Sequence, residues 1–296
     1  MAYRLFTDVC ADLPLEYVRA NDLRIVPMPV TVDDRQYTVT LDPDDPSSIS
    51  TKLFYDMLRS GTKAQSAQIP ASTFITAFEP VLMAGGDVLY LAFSSALSGT
   101  YNSACLAAQD LMDKYPNRRV VVVDSLCASM GQGLLIHMCV QKRDEGASLD
   151  RLEEYMLQNR LRIHHWFTVD DLAHLRRGGR VSGAAAVMGT MLAIKPILHV
   201  DEEGKLVPVD KVQGRKRSLT FIADKICSLV DMSLSDTVFI SHGDAEADAQ
   251  KVADMIRARH SVNVLINSVD PVIGCHSGPG TIAVFCANSQ GRELSK

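Results

Sequence analysis

DVLYLAFSSALSGTYNSACLAAQDLMDKYPNRRVVVVDS, residues 87–125, decides the fold. It opens with an apolar run of β-type residues and turns through SSALSGT. A helix-like stretch, TYNSACLAAQDLMDKY, follows, and the segment closes on RRVVVVDS. A strand, a helix and a second strand in that order place the strands side by side and parallel, joined by a right-handed crossover. The near-continuous valines suit a parallel strand covered on both faces.

The same alternation extends outward. Toward the N-terminus, YRLF and LRIVPMPVTV read as strands, with a short helix in PLEYVRAND opened by Pro14. ISTKLFYDMLRSG places Leu53, Phe54, Met57 and Leu58 on one helical face, with Gly61 as its stop. STFITAFEPVLMAGG reads as a helix bent at Pro80. LCASMGQGLLIHMCVQKRDEG reads as a long helix after the valine strand. Past about residue 165 the pattern changes. WFTVDD and KPILHVDEEGKLVPVDKV are strands, the latter folded into a hairpin at DEEGK. RVSGAAAVMGTMLA, KRSLTFIADKICSLV and AEADAQKVADMIRARH are helices, and VFIS, VNVLINS and TIAVFCA are strands. The expected fold is α/β. An N-terminal open, mostly parallel sheet flanked by helices spans residues 1–163, and a second α+β domain spans 164–296. The acidic helix near 148–162 is the expected connection.

Composition narrows the function. The 296 residues carry a net charge of −5, with 47% hydrophobic and 22% charged residues, as in ordinary soluble globular proteins. That charge argues against nucleic acid as the main partner, and a single Trp argues against stacking platforms for single strands. MAYRLFTD lacks the charged and apolar regions of a signal peptide, and no uninterrupted apolar stretch approaches the ~20 residues that span a bilayer. The seven cysteines are odd in number, scattered and free of CxxC spacing. Reduced thiols in a cytoplasmic protein with no metal site are expected.

Polar turns sit beside the predicted strand ends, where open α/β sheets bind ligands. They are TDVCADLP (7–14), AQSAQIP (64–70), SSALSGT (94–100) and GCHSGPGT (274–281). Neither a nucleophile elbow nor a phosphate loop is present. In SSALSGT, Thr100 or Ser98 suits a helix cap, while hydroxyls at a helix start also suit an anionic head group. A fifth cluster, LRRGGRVSGAAAVMGTMLAIKPIL (175–198), leads three arginines and two glycines into a helix of small residues. Arg180 there either meets an anion or partner, or pairs with Asp170 or Asp171.

Taken in order, these segments resemble the DegV family of bacterial fatty-acid-binding proteins, over about residues 3–287. TDVCADLP resembles the family's T-D-S-x-x-D-L-P start, and AQSAQIP its T-S-Q segment. SSALSGTYNSA is similar to S-S-x-L-S-G-T-Y-x-S-A, and LRRGGRVS and IKPIL to G-G-R-[IV]-S and I-K-P-[IV]-L. GCHSGPGT is similar to H-x-G-P-G. Val9 stands where the family has Ser, and Ser66-Ala67 where it has Thr-Ser. The resemblance implies a carrier without catalytic residues or cofactor. A long-chain fatty acid would lie in a tunnel between the domains and be presented to a separate fatty acid kinase, which makes the acyl phosphate for phospholipid synthesis. Carried over, Ser66, Ser95 and Ser94 would bond the carboxylate, with His276 and Arg180 beside it. Arg180, with Arg215 and Arg217 of the basic run 214–217, would face the kinase. Stable membrane insertion is not expected. Two other readings stay open: an acyl hydrolase or acyltransferase using Ser95 or Ser277 with His276 as base, and a phosphotransfer protein carrying phosphate on His276.

Overall fold

The computed structural model describes residues 3–42, 44–181 and 193–292. Its strands are β1 (Tyr3–Asp8), β2 (Arg24–Val26), β3 (Met28–Val32), β4 (Arg35–Val39), β5 (Ala64–Ser66), β6 (Asp87–Ala92) and β7 (Val120–Asp124). They continue with β8 (Ile163–Thr168), β9 (Ile194–Val200), β10 (Leu206–Gln213), β11 (Thr237–His242), β12 (Asn263–Ser268) and β13 (Ile282–Ala287). The helices are α1 (Leu15–Ala20), α2 (Thr51–Arg59), α3 (Ala71–Met83), α4 (Thr100–Lys114) and α5 (Met130–Asp144). After them come α6 (Leu149–Asn159), α7 (Ala173–Gly178), α8 (Arg215–Leu229), α9 (Glu246–Arg257) and α10 (Pro271–Ser277).

The unit read from residues 87–125 is present as β6–α4–β7, in a four-stranded sheet of order β2-β1-β6-β7 whose strands are all parallel. A second sheet, β10-β9-β8-β13-β11-β12, is antiparallel except for the β11–β12 pair. The hairpin at DEEGK joins β9 to β10 as expected. The chain is thus a mixed α/β fold with a helix-flanked parallel sheet and a second sheet.

The expected strand LRIVPMPVTV is two strands. Pro27, which has no N–H to donate, separates β2, in the parallel sheet, from β3, which pairs with β4 and β5 in a small antiparallel sheet. AQSAQIP, read as a turn, begins with β5. α3 runs through Pro80. Strand β8 begins at Ile163, two residues before the expected change of pattern. GCHSGPGT, also read as a turn, contributes Gly274–Ser277 to α10. The small-residue helix expected over 182–192 lies outside the described residues.

Two cores matter for the site. Phe6, Phe74, Phe78 and Tyr90 interlock under the parallel sheet, with Phe6–Phe78 and Phe74–Tyr90 centroids 5.0 Å apart. Between the sheets lies α5, whose Leu134, Leu135 and Met138 pack with Leu5, Leu89 and Leu91 of the first sheet and Phe239 and Phe285 of the second. Almost all of α5 from Met130 to Val140 is buried, so its apolar residues surround it instead of forming a stripe. A division of the chain at 163/164 leaves α5 packed across it.

Candidate functional site

The two sheets enclose a cavity of about 160 Å³. Its walls are mainly carbon: Met28, Phe93, Phe167, Leu206 and Phe285 are among its lining residues. At one end it shares Ser66, Arg180 and His276 with a second cavity of about 520 Å³. Distant segments are fastened together at this junction. Pairing of β5 with β3 sets Ser66 opposite Val30. Ile69 N–H donates to Thr100 Oγ1 (3.2 Å), tying the 66–70 turn to the start of α4. Asp270 caps α10 by accepting from Val272 and Ile273 N–H, which fixes the helix that carries His276.

His276 Nε2 lies 2.7 Å from Ser66 Oγ, and its Nδ1 has no partner among the described residues. Burial, with the Arg180 guanidinium adding to it, pushes the imidazole down to about 4, so the ring is neutral at pH 7. Gly178 explains the ring's close approach to α7, because a Cβ there would stand 2.1 Å from His276 Nδ1. The next residue, Gly179, has φ +66°, which closes the helix and turns the chain toward Arg180. Arg180 is exposed, and its guanidinium donates to the carbonyls of Leu97 and Gly178. No carboxylate among the described residues pairs with it. Asp170 binds Lys195 and Arg215 instead, and Asp171 accepts from Ala173 N–H.

The serines of SSALSGT divide differently from the expectation. Ser94 is fully buried and donates to Gly204 O at 2.9 Å, fastening the β9–β10 hairpin to the first sheet. Ser95 is exposed, with its N–H on Asp124 Oδ1. Neither lines the cavity; Ser98 does, together with Gln68 and Gly99. Ser98 Oγ also accepts from Thr100 N–H (3.3 Å), so it serves the start of α4 as well. The turn's backbone sets this outcome: one successive side chain points to a neighbouring hairpin, the next to solvent, and Ser98 inward. Arg215 is held inside the fold by Asp248 (2.8 Å) and Asp170 (3.6 Å), while Arg217 is exposed. The structure therefore brings Ser66, His276 and Arg180 to one place, adds Ser98, and leaves Ser94, Ser95 and Arg215 elsewhere.

TDVCADLP supplies buried acids beneath the cavity floor. Asp8 accepts from Tyr90 O–H (2.6 Å), Phe93 N–H, Gln132 and Cys10 N–H. Asp12 accepts from Asp270 N–H (2.8 Å) and Ser129 Oγ, and its carboxyl interacts with that of Asp270. Burial raises both: Asp12 well above the usual carboxylate range and Asp270 up to about 6. A pair of carboxyls so enclosed shares a proton because two adjacent buried charges are unfavourable.

Such a fold and cavity define a class: two-sheet α/β proteins that enclose a small, mostly apolar ligand space closed by hydroxyls and an imidazole. The chain belongs to the DegV family; the profile described as "Uncharacterised protein, DegV family" matches residues 2–289. A DegV domain-containing protein of Clostridium perfringens, CPE0026, is 40% identical over 282 residues, covering 95% of this chain and 96% of that protein. Among solved structures, a DegV family protein from Thermus thermophilus described by its fatty acid binding superposes with a TM-score of 0.84 at 27% identity, covering 97% of this chain and 100% of that one. A DegV lipid-binding protein from Thermotoga maritima gives a TM-score of 0.84 at 25% identity over 99% of this chain and 100% of its own.

Proposed function

We propose that this chain is a carrier that binds a long-chain fatty acid and presents it to a separate fatty acid kinase for phosphorylation to acyl phosphate. The observation that carries the reading is a carbon-walled cavity ending at the Ser66–His276 pair, with Ser98 in its lining and Arg180 at its mouth. Removing the tail from water contributes roughly 0.8 kcal/mol per methylene, and the carboxylate must then find donors. With its proton on Nε2, neutral His276 donates to Ser66 Oγ and leaves the Ser66 O–H free for the carboxylate. Ser98 offers a second hydroxyl. The fatty-acid and lipid binding of the Thermus and Thermotoga proteins supports the same ligand class. No described helix is long and apolar enough to cross a membrane, and all seven cysteines are free, which accords with a carrier working in the cytoplasm.

Ser66 beside His276 also has the form of a nucleophile and base. Against catalysis, an imidazole held near 4 is a weaker base than an ordinary histidine by roughly 3 kcal/mol, and no carboxylate orients its Nδ1. Ser277 and Ser95 are not bonded to it.

Mass spectrometry of lipid extracted from freshly purified protein is expected to find about one long-chain fatty acid per chain. An extract without fatty acid, combined with no uptake of added fatty acid, would end the carrier reading, and turnover of acyl esters would favour the hydrolase. The kinase step has its own test. With a cognate kinase and ATP, Arg180→Ala is expected to lower acyl phosphate formation at least tenfold while lipid uptake changes less than threefold. Equal loss of both would make Arg180 a ligand-binding or folding residue.

A further inference from the structure

Besides the Ser66, Ser98 and His276 end, a second set of hydroxyls lines the cavity wall. Ser241 on β11 pairs with Ala283 on β13, so Ser241, Ala283, Thr281 and Phe285 project from one face of the second sheet, and all four line the cavity. Ser129, at the start of α5, lines it too, with its Oγ 2.7 Å from Ser241 Oγ. Ser277 completes the polar stretch from the end of α10.

The protons on these hydroxyls can be followed. Ser129 donates to Asp12, so the proton between the two serines comes from Ser241. That leaves Ser241 Oγ with lone pairs and no donor among the described residues. Thr281 Oγ1 is spent on the carbonyls of Ser277 (3.0 Å) and Gly278 (2.9 Å). Ser277 is 6% exposed, and its hydroxyl has no partner among the described residues. Among the described residues the wall therefore presents one hydroxyl without a partner, Ser277, and one with lone pairs to spare, Ser241. Burying such groups without partners costs free energy, and a plain hydrocarbon tail satisfies neither.

We propose that the cavity takes an acyl chain bearing a hydroxyl group along its length, which donates to Ser241 Oγ or accepts from Ser277 O–H. A hydroxyl is the small group that can do either, whereas a ketone only accepts. The proposal rests on the fatty-acid reading above and narrows its substrate class to oxygenated chains.

The test uses the full chain stripped of lipid, titrated with stearic acid and with monohydroxystearic acids that differ in the position of the hydroxyl. At least one positional isomer is expected to bind up to about tenfold more tightly than stearic acid, as a neutral hydrogen bond to an unmet partner allows. In Ser277→Ala or in Ser241→Ala that ratio is expected to fall toward one, with thermal unfolding run alongside to show that each variant is folded. A ketostearic acid should retain the part of the preference that depends on Ser277 and lose the part that depends on Ser241. Stearic acid binding with no isomer preferred would overturn the oxygenated-chain proposal alone, as would a preference that both variants keep. A buried water bridging the two serines would give that first result. Failure of stearic acid and every isomer to bind would remove the fatty-acid reading itself.

Discussion

Ser98→Ala is expected to weaken fatty acid binding by ten- to a hundredfold and Ser66→Ala to do the same, while Ser95→Ala is expected to leave affinity as it was. The first two hydroxyls line the cavity, whereas Ser95 is exposed with its backbone on Asp124. A hydrogen bond to a charged acceptor is worth roughly 1.5–3 kcal/mol, which sets the size of the loss. If both hydroxyls serve one carboxylate, the double variant should lose less than the sum. Ser98 also accepts from Thr100 N–H, so its replacement should cost about 1 kcal/mol of stability in the lipid-free protein, as for a lost cap. Affinity and thermal unfolding measured on the same samples separate the two roles. The methyl ester of the fatty acid gives a control, since it keeps the tail and removes the charge. Wild type should prefer the acid, and the two variants should discriminate less. Stability losses with unchanged discrimination would reduce Ser98 to a cap, and an effect of Ser95→Ala as large as the others would redraw the site.

The second large effect is on stability against pH. The native protein holds Asp12 and Asp270 above their ordinary range, Asp270 at about 6, so between pH ~4 and ~6 it binds more protons than the unfolded chain does. Stability from this pair is therefore greatest at the acid end and is lost as pH rises through the native value. Raising Asp270 from 3.8 to about 6 corresponds to roughly 3 kcal/mol. Histidines that burial keeps neutral, His165 and His276 among them, act in the opposite direction over the same range. The informative quantity is thus a difference. Asp270→Asn keeps a residue that caps α10 and removes the second acid. Wild-type unfolding free energy minus that of the variant should fall by a few kcal/mol between about pH 4.5 and pH 7.5. A flat difference would show that the pair does not share a proton.

The β6–α4–β7 unit was legible because each segment is long and its period unmistakable. β4 and β5 were not. RQYTV and AQS are short and largely polar, and they become strands only because β3 offers a partner on each side. Pro27 was visible, but that it divides two sheets depends on where the chain goes next. At the site, the sequence located the turns and not their side-chain directions, so Ser95 was expected on the carboxylate and Ser98 at the helix cap, whereas Ser98 lines the cavity. Asp12 and Asp270 meet across 258 positions, and each alone reads as a turn acid or a helix cap. A signal existed in TDVCADLP, whose two acids stand beside an apolar strand end.

Helix α5 has a consequence for synthesis. It is buried around almost its whole circumference from Met130 to Val140, and part of that surface is covered by β11 and β13. Those strands leave the ribosome up to ~140 residues later, or roughly 7–30 s at ordinary elongation rates. Through that interval the nascent chain carries a sticky helix with one of its two sheets missing. Pausing of the ribosome between residue 145 and the end of β13 at 287 is therefore expected to prolong that exposure.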